Sequence, residues 1–362
     1  MKRILFMPLL QIPSGHHHVA DCIQEELNRN MRDIQCEKLE MLSHCFGPLE
    51  NVVSSVYLQW IHSFPNLYSS VYKRMAGTGK KRKHYSLYKA LFMKKIYHAI
   101  NELNPDIIIC THALPSFLLD EIKRQKRWSG ILINVYTDFF INDLWAIKYV
   151  DYHFVPSQAG KEQLIQQKVR ENQIYITGIP IHPVFKTLPS NSTQKMILIS
   201  GGNMGTGSIR TFLQRIKPTG KIIYKVLCGK NVKLYQYVTE MNNKYIIPIP
   251  YITSKVEMNY LYEEATAIIT KPGGVTVSEC LWKRLPIIIY EALPGQEEFN
   301  LNFLKKEGFV LHLEDWKRNK NLEPIILELL NKHTPSLHSR FQSFHRFIEY
   351  HNITDIMKEN IF

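Results

Sequence analysis

What the sequence lacks excludes several classes of protein. Its 362 residues contain no apolar run that approaches the roughly 20 residues of a membrane-spanning helix. Its six cysteines form no C-x-x-C pair, which indicates neither a disulfide framework nor a zinc site. The apolar start of the chain is short, is broken by Pro8 and Pro13, and lacks a small-residue cleavage site, so we interpret it as a buried strand and not a signal peptide. We therefore expect a cytoplasmic protein with reduced thiols.

Acidic residues are absent from one long segment. Residues 51–101 contain no Asp or Glu but nine lysines and arginines, so this segment carries +9 of the formal net charge of +13. Aromatic residues precede most of the basic ones and recur at helical spacing. An aromatic stripe beside a cationic cluster is typical of a helix at the interface of an anionic membrane. The membrane-binding residues that this pattern predicts are Trp60, Phe64, Tyr68, Lys80, Lys81, Arg82 and Lys83.

Two other interpretations of this segment stay open. The aromatic stripe is also compatible with a core-facing helix beside a solvated basic loop. The basic cluster is compatible with a nucleic-acid-binding surface, although such a protein would leave the C-terminal motifs described below unexplained. We expect an anionic membrane and no nucleic acid as partner. Binding to anionic liposomes but not to duplex DNA at equal, moderate salt would separate the two.

The length of the chain and the order of its apolar runs indicate two α/β domains. With 362 residues, of which 45% are apolar and 21% charged, the chain suits a soluble globular protein with two cores. Short apolar runs alternate with helical patterns before residue 177 and again after residue 195, which predicts two doubly wound parallel sheets. Residues 186–195 are rich in Pro, Ser and Asn and indicate a linker. We predict domains at residues 1–185 and 196–335, and C-terminal helices at 336–362 that pack back toward the first domain.

Residues 270–279 combine the end of a buried strand, paired glycines and the start of a helix. Such a turn presents backbone N–H groups and the positive end of a helix dipole to an anion. Glu279, about two helical turns further on, is placed to accept hydrogen bonds from the hydroxyls of a ribose whose phosphates lie on the turn. The following loop at residues 294–300 supplies amides and carboxylates that suit sugar hydroxyls. The alternative is an ordinary strand–turn–helix beside a polar loop.

A histidine-containing loop follows the first predicted strand, at the edge where open α/β sheets bind ligands. His16, at the start of a helix, is suited to act as a base or to polarise a hydroxyl. A metal site at His16, His17 and His18 is disfavoured, because consecutive residues rarely converge on one ion and no carboxylate or cysteine accompanies them closely. We predict no metal site.

A glycine-rich loop at residues 201–207 follows a later strand but lacks the downstream acid of the dinucleotide-binding fingerprint.

These motifs resemble those of the membrane-associated lipid glycosyltransferases, namely the processive diacylglycerol glucosyltransferases and the monogalactosyldiacylglycerol synthases. More distantly they are similar to the N-acetylglucosaminyltransferase that makes lipid II. The resemblance covers nearly the whole chain and implies the GT-B architecture, in which two Rossmann-like domains face each other across a cleft. The acceptor and the membrane would bind the N-terminal domain, and the nucleotide sugar the C-terminal one. The motifs are Gly15-His16 with Val19-Ala20, Thr137-Asp138-Phe139 with Trp145, Thr177-Gly178-Ile179-Pro180-Ile181, Cys228-Gly229-Lys230-Asn231, and Thr270-Lys271-Pro272-Gly273-Gly274 through Gln296, Glu297 and Asn300.

The resemblance also implies roles for individual residues. His16 and Asp138 would be catalytic, and which of them is the base stays open. Trp145 would lie on the acceptor side. A UDP-sugar would be the co-substrate, with no metal or other cofactor required. The donor-binding residues would be Gly202, Asn203, Ile252, Lys271, Gly273, Gly274, Val275, Thr276, Glu279, Gln296, Glu297 and Asn300.

The expected activity is therefore the inverting transfer of a hexose from a UDP-sugar to a membrane lipid, with diacylglycerol as the favoured acceptor. UDP-glucose and UDP-galactose are both compatible with the sequence, because they present hydroxyls to the same loop and differ at one carbon. We expect the enzyme to be peripheral on the cytoplasmic face of the cell membrane. The alternative acceptors are a polyprenyl-linked intermediate and a secondary metabolite. A UDP-sugar 2-epimerase shares the two-domain shape, but the acceptor-side basic patch argues against it.

Overall fold

A computed structural model describes residues 1–9, 14–47, 85–186, 195–205, 207–293 and 295–362. The chain forms two compact units, one of Met1–Pro180 with Phe347–Phe362 and one of Ile181–Arg346. The sequence placed these boundaries at residues 185 and 336. The positions differ because Phe185 is buried against Tyr262 of the second unit, and because Phe344 packs against Trp282 and Phe309 of that unit. The predicted membrane-binding residues Trp60, Phe64, Tyr68, Lys80, Lys81, Arg82 and Lys83 lie outside the described residues.

The first unit is a parallel sheet flanked by helices. Its described strands follow the order β2-β1-β3-β4-β5-β6. Ile107, Ile108 and Ile109 are fully buried, as expected for a central parallel strand that helices cover on both faces. The strands are β1 (Lys2–Met7), β2 (Ile34–Lys38), β3 (Ile107–Cys110), β4 (Ile131–Val135), β5 (Tyr152–Val155) and β6 (Ile174–Ile176). The helices are α1 (Gly15–Asn30), α2 (Met41–Phe46), α3 (Tyr85–Leu103), α4 (Ala113–Arg124) and α5 (Gln158–Gln166).

The second unit repeats this architecture. Its described strands follow the order β12-β11-β10-β7-β8-β9, and all pairs are parallel. The strands are β7 (Met196–Ser200), β8 (Ile223–Leu227), β9 (Ile246–Ile249), β10 (Ala267–Thr270), β11 (Ile287–Ile289) and β12 (Leu311–His312). The helices are α6 (Ile209–Leu213), α7 (Val232–Glu240), α8 (Lys255–Glu264), α9 (Gly274–Trp282), α10 (Gln296–Glu307) and α11 (Glu323–Phe347).

The C-terminal residues return to the first unit as α12 (Ile353–Ile356), which continues into a π-helical turn at Met357–Ile361. The backbone N–H and the hydroxyl of Thr354 donate hydrogen bonds to Glu26 Oε1 of α1, at 2.8 and 3.0 Å. The backbone N–H of Ile176 donates to Glu349 Oε2 at 3.0 Å. These contacts tie the end of the chain to one helix and one edge strand of the first sheet.

The sequence prediction of two doubly wound α/β sheets is confirmed, with two edge strands missed. In β2, Gln35 and Glu37 are exposed, so this strand lacks the continuous apolar run that identifies a buried strand. β12 has only two residues. Both strands lie at sheet edges, where one side is open and the hydrophobic pattern is weak. In the described part of the chain, no helix is both long enough and apolar enough to cross a membrane.

Candidate active site

His16 lies where three neighbouring strands of the first sheet end. It is the second residue of α1, and its Nδ1 atom is 2.7 Å from the carbonyl oxygen of Thr111 and 2.9 Å from Thr137 Oγ1. Thr111 directly follows β3, and Thr137 is the second residue after β4. β1, β3 and β4 are adjacent and parallel, so their carboxyl ends share one edge of the sheet. The fold thereby brings together three loops that are far apart in the chain.

The hydrogen bond to Thr111 determines the protonation of the imidazole. A backbone carbonyl oxygen only accepts hydrogen bonds, so His16 Nδ1 must carry the proton and donate it. In the neutral ring, Nε2 then holds the free lone pair. Backbone and threonine contacts fix the ring orientation, so that His16 is suited to accept a proton at Nε2 from a bound hydroxyl.

Opposing effects act on the pKa of His16, and burial is the largest of them, so the imidazole is neutral. Burial lowers its pKa, whereas the negative charge of Asp138 and the hydrogen bond to Thr111 act in the opposite direction. A neutral imidazole is the form that acts as a base. Asp138 directly follows Thr137, and its charge stabilises the imidazolium that forms when the ring takes up a proton. The two predicted catalytic residues therefore interact.

His112 is a neighbour of His16 that the sequence analysis did not single out. The two rings are 4.8 Å apart, centroid to centroid, in an edge-on arrangement. His112 caps α4, where its side chain accepts a hydrogen bond from the backbone N–H of Leu114 at 3.1 Å. Burial and the nearby His16 ring keep the pKa of His112 well below its usual value. Its position two residues after the buried strand β3 was the sequence feature that could have indicated it.

The adjacent histidines have separate contacts. His17 is buried, with Nδ1 3.3 Å from Ser14 Oγ and Nε2 3.5 Å from Glu40 Oε1. Among the described residues, no group of three His, Cys, Asp or Glu side chains is arranged to hold a metal ion.

Trp145, predicted on the acceptor side, is half-buried and packs on Tyr136, with ring centroids 4.7 Å apart. Tyr136 immediately precedes Thr137, which links Trp145 to the β4 loop.

In the second unit, the predicted glycine turn connects β10 to α9. Gly273 caps the helix and Gly274 is its first residue, so the first backbone N–H groups of α9 lie at the turn. An alanine Cβ at Gly273 would meet no atom within 4 Å, which leaves open space on its surface. Val275 and Thr276, in the first helical turn, are half-buried. This geometry suits the close approach of an anion.

The start of α10 is anchored to the same turn. Lys271 forms an ion pair with Glu297, with Nζ 3.3 Å from Oε1. Asn300 is buried and donates a hydrogen bond from Nδ2 to the carbonyl oxygen of Pro272 at 3.1 Å. Gln296 is the first residue of α10. The glycine turn and the start of α10 thus lie together at the adjoining ends of β10 and β11. They hold five of the predicted donor-binding residues, namely Lys271, Gly273, Gln296, Glu297 and Asn300.

Glu279 lies on the second turn of α9 and is almost fully buried. Its Oε2 accepts a hydrogen bond of 2.8 Å from the hydroxyl of Tyr262, a residue of α8 that the sequence analysis missed. Burial raises the pKa of Glu279 to about 7, although the Tyr262 hydrogen bond and the charge of Lys255 act in the opposite direction. The carboxyl therefore titrates near neutral pH.

The glycine loop after β7 packs closely against the loop after β8, and we call these two segments the interlocked loops. The backbone N–H of Lys230 donates to the carbonyl oxygen of Asn203 at 2.8 Å. A Cβ at Gly205 would lie 2.1 Å from the carbonyl oxygen of Cys228, so only glycine fits there. Gly202 has φ +75° and open space around it. Since β7 adjoins β10, this loop lies beside the glycine turn, whereas Ile252 follows the edge strand β9.

Comparison with known proteins places the chain among glycosyltransferases. The sequence model of the monogalactosyldiacylglycerol (MGDG) synthase family matches residues 16–181. An uncharacterised glycosyltransferase, YkoN of Bacillus subtilis strain 168, is 48% identical over 330 residues, which cover 90% of this chain and 88% of the relative. The processive diacylglycerol beta-glucosyltransferase of the same strain is 26% identical over 319 residues, covering 85% of this chain and 82% of the relative.

A solved structure agrees at the level of the fold. The crystal structure of Acinetobacter baumannii MurG superposes with a TM-score of 0.58 at 13% identity, and the match covers 96% of this chain and 99% of that chain. The two parallel sheets described above are those of the GT-B fold. The chain therefore belongs to the same glycosyltransferase family as YkoN, and its sequence is similar to the monogalactosyldiacylglycerol synthases and the processive diacylglycerol glucosyltransferases.

Proposed function

We propose that this glycosyltransferase inverts the anomeric centre as it transfers glucose or galactose from a UDP-hexose to a membrane lipid, with diacylglycerol as the acceptor. The observation that carries the proposal is the arrangement of His16, whose Nδ1 is bonded to Thr111 and whose Nε2 lone pair is therefore available. The names of the relatives support a lipid acceptor, since one family synthesises monogalactosyldiacylglycerol and another glucosylates diacylglycerol.

In the proposed reaction, the acceptor hydroxyl oxygen attacks the anomeric carbon while the bond from that carbon to the UDP oxygen breaks. The hydroxyl proton moves to His16 Nε2, and UDP leaves with the electron pair of the broken bond. Asp138 stabilises the resulting imidazolium through its negative charge. Because attack occurs opposite the leaving group, the configuration of the sugar inverts.

We assign the donor to the second unit. The backbone N–H groups at the start of α9 would bind the diphosphate, and the helix dipole would stabilise the charge that develops on UDP. Glu279 would accept hydrogen bonds from the ribose, and Gln296 and Glu297 would bind the hexose. Gly202 and Asn203 would border the diphosphate from the adjoining β7 loop. In this proposal no metal is required, because backbone amides and the helix dipole stabilise the leaving group.

We also propose that the enzyme binds the cytoplasmic face of the cell membrane as a peripheral protein. The charge pattern supports this, because residues 51–101 hold nine lysines and arginines and no acidic residue. An anionic lipid surface attracts such a segment by about 1 kcal/mol per basic residue close to it. Membrane binding would place the active site next to its lipid acceptor.

The test is UDP release from a panel of UDP-sugars, with and without anionic liposomes that contain diacylglycerol. We expect release from UDP-glucose or UDP-galactose that depends on diacylglycerol, together with a glycolipid product of inverted configuration. Lipid-independent release would contradict the proposed acceptor while leaving the donor in place. If no UDP-sugar were turned over, binding of UDP measured by calorimetry would decide whether the proposed donor is wrong.

A further inference from the structure

The carboxylate of Glu279 is held by a tyrosine for which the reaction described above has no role. Tyr262 lies on α8 and Glu279 on α9, and their side chains meet in the interior, where they are 3% and 6% exposed. The Tyr262 hydroxyl donates to Glu279 Oε2 at 2.8 Å. A carboxylate accepts up to about four hydrogen bonds, so this contact occupies one of them and leaves Oε1 and part of Oε2 for other donors.

We propose that Tyr262 is a positioning residue for donor binding: its hydroxyl orients the Glu279 carboxylate so that the remaining lone pairs receive the 2′- and 3′-hydroxyls of the ribose. This inference rests on the proposed function, since it requires a donor that contains a ribose. Hydrogen bonds to an ionised carboxylate are shorter and stronger than those between neutral groups. A carboxylate that is oriented before the donor arrives loses less side-chain entropy on binding.

Tyr262 itself is fixed by its packing. Its ring lies edge-on to Phe185, with centroids 5.6 Å apart and an angle of 63° between the planes. Phe185 is fully buried and belongs to a 3₁₀ turn at Pro183–Lys186, close to where the chain enters the second unit. Lys186, in the same turn, lies over the ring of Trp282 on α9, with Nζ 5.3 Å from the centroid. The turn therefore contacts both helices that carry the Tyr262–Glu279 pair.

Tyr262 and Glu279 also influence each other's pKa. The titratable groups that act on Glu279 are Tyr262 and Lys255 of α8, while Cys280 of α9 also lies against Tyr262. Burial and the charge of Glu279 raise the pKa of Tyr262 well above its usual value, so the phenol stays protonated and remains a donor. The hydrogen bond from Tyr262 in turn lowers the pKa of Glu279. Without this hydroxyl, more of the Glu279 carboxyl is protonated at neutral pH.

The test compares Tyr262→Phe with the matched control Tyr260→Phe, which removes a hydroxyl from an exposed position on the same helix. Binding of UDP-glucose and UDP-galactose, without acceptor, is measured by calorimetry at several pH values on either side of about 7. We expect Tyr262→Phe to weaken binding about tenfold and to move the pH midpoint of binding upward. With the 2′-deoxyribose analogue of the UDP-sugar the loss shrinks, because one of the hydroxyls that Glu279 binds is absent. Tyr260→Phe binds like the wild type.

A second variant, Phe185→Leu, keeps the inference testable if Tyr262→Phe folds poorly. It leaves the Tyr262 hydroxyl in place but loosens its ring, and we expect weaker UDP-sugar binding in the same direction. If the wild type binds UDP-sugars and both variants bind them equally well with the same pH midpoint, Tyr262 has no positioning role and the proposed function stands. If the wild type binds neither UDP-sugar, the proposed donor and this inference are both overturned.

Discussion

His16 and His17 are adjacent in the chain, but their surroundings give them different chemistry. Successive residues of an α-helix point about 100° apart, so the two rings face different neighbours. His16 meets the β3 and β4 loops, whereas His17 meets Ser14 and Glu40. Burial, with the nearby charge of Lys38, lowers the pKa of His17 to about 4, which keeps it neutral. Of these two histidines, only His16 has Asp138 among the groups that act on its pKa.

The role of His16 as base predicts a selective loss in His16→Asn. Asparagine retains an N–H that can reach the Thr111 carbonyl but has no basic nitrogen. We expect transfer to fall by about 10²- to 10⁴-fold, while the affinity for UDP is unchanged. Glycolipid formation and UDP calorimetry measure the two effects. The control is His98→Asn, whose side chain is 82% exposed on α3; full activity in His16→Asn would exclude its role as base.

The raised pKa of Glu279 predicts a pH-dependent donor affinity. The carboxyl is ionised above about pH 7 and protonated below it, because burial raises its pKa to about 7. The ionised form only accepts hydrogen bonds, whereas protonation turns one oxygen into an O–H donor and leaves fewer and weaker acceptors for the ribose hydroxyls. We therefore expect KM for the UDP-sugar to rise as the pH falls below about 7. In Glu279→Gln this dependence disappears, and a variant that kept the wild-type pH profile would show that another group is responsible.

Two glycines in the second unit have different physical reasons for being glycine. Gly205 has φ +56°, and a Cβ there would overlap the carbonyl oxygen of Cys228 in the interlocked β8 loop. Gly273 has φ −74° and ψ 134°, a conformation open to other residues, and no atom lies within 4 Å of its Cβ position. Folding therefore requires glycine at Gly205. At Gly273 the absent side chain leaves room for a ligand at the start of α9.

Gly273→Ala should separate function from stability. The backbone conformation tolerates alanine, so we expect only a small change in the melting temperature, from the weaker N-cap. A methyl group at the anion-binding turn would obstruct the diphosphate, and UDP affinity should fall at least about tenfold. Calorimetry with UDP and thermal melts measure the two effects. Unchanged UDP affinity would show that the diphosphate does not approach this turn.

Gly205→Ala is expected to act in the opposite way, through stability. The left-handed conformation and the overlap with Cys228 together cost at least about 2 kcal/mol of unfolding free energy. Urea denaturation of the purified protein measures this loss. Gly160→Ala is the control, because Gly160 lies in α5 and the nearest atom to its Cβ position is at an ordinary 3.4 Å. Equal stability of the two variants would contradict the interlocked-loop description.

At the scale of the whole molecule, the excess positive charge is concentrated in one stretch of the sequence. Elsewhere, basic residues of the folded units form ion pairs with acidic residues of the same unit. The described residues contain pairs such as Lys271–Glu297 and Lys283–Glu263, which neutralise charge locally. The excess of positive charge comes largely from residues 51–101. This asymmetry favours one membrane-facing region over a uniformly basic surface.

Neutralising that region predicts a loss of membrane binding. A variant with Lys80, Lys81, Arg82 and Lys83 all changed to Gln should bind anionic liposomes at least about tenfold more weakly, because each removed charge weakens the attraction to anionic lipid. Sedimentation with liposomes at low and high salt measures the effect. The control carries the same change of charge at four exposed lysines of the second unit, Lys217, Lys221, Lys320 and Lys332. Equal loss in both variants would show that net charge alone governs binding.

The two α/β sheets could be predicted from the amino-acid sequence, because buried parallel strands appear as short apolar runs and their turns carry recognisable glycines. It also predicted site roles for His16 and Gly273, which stand at helix starts, and for Glu279, which lies about two helical turns beyond the glycine turn. The predicted role of Asp138 came from the family resemblance. The groups that contact these residues could not be predicted from the sequence, because they come from distant parts of the chain. His16 and Thr111 are 95 positions apart, and Tyr262 and Glu279 lie on different helices. Such contacts depend on strand order and on the packing of side chains across the sheet edge, neither of which is encoded in a local pattern.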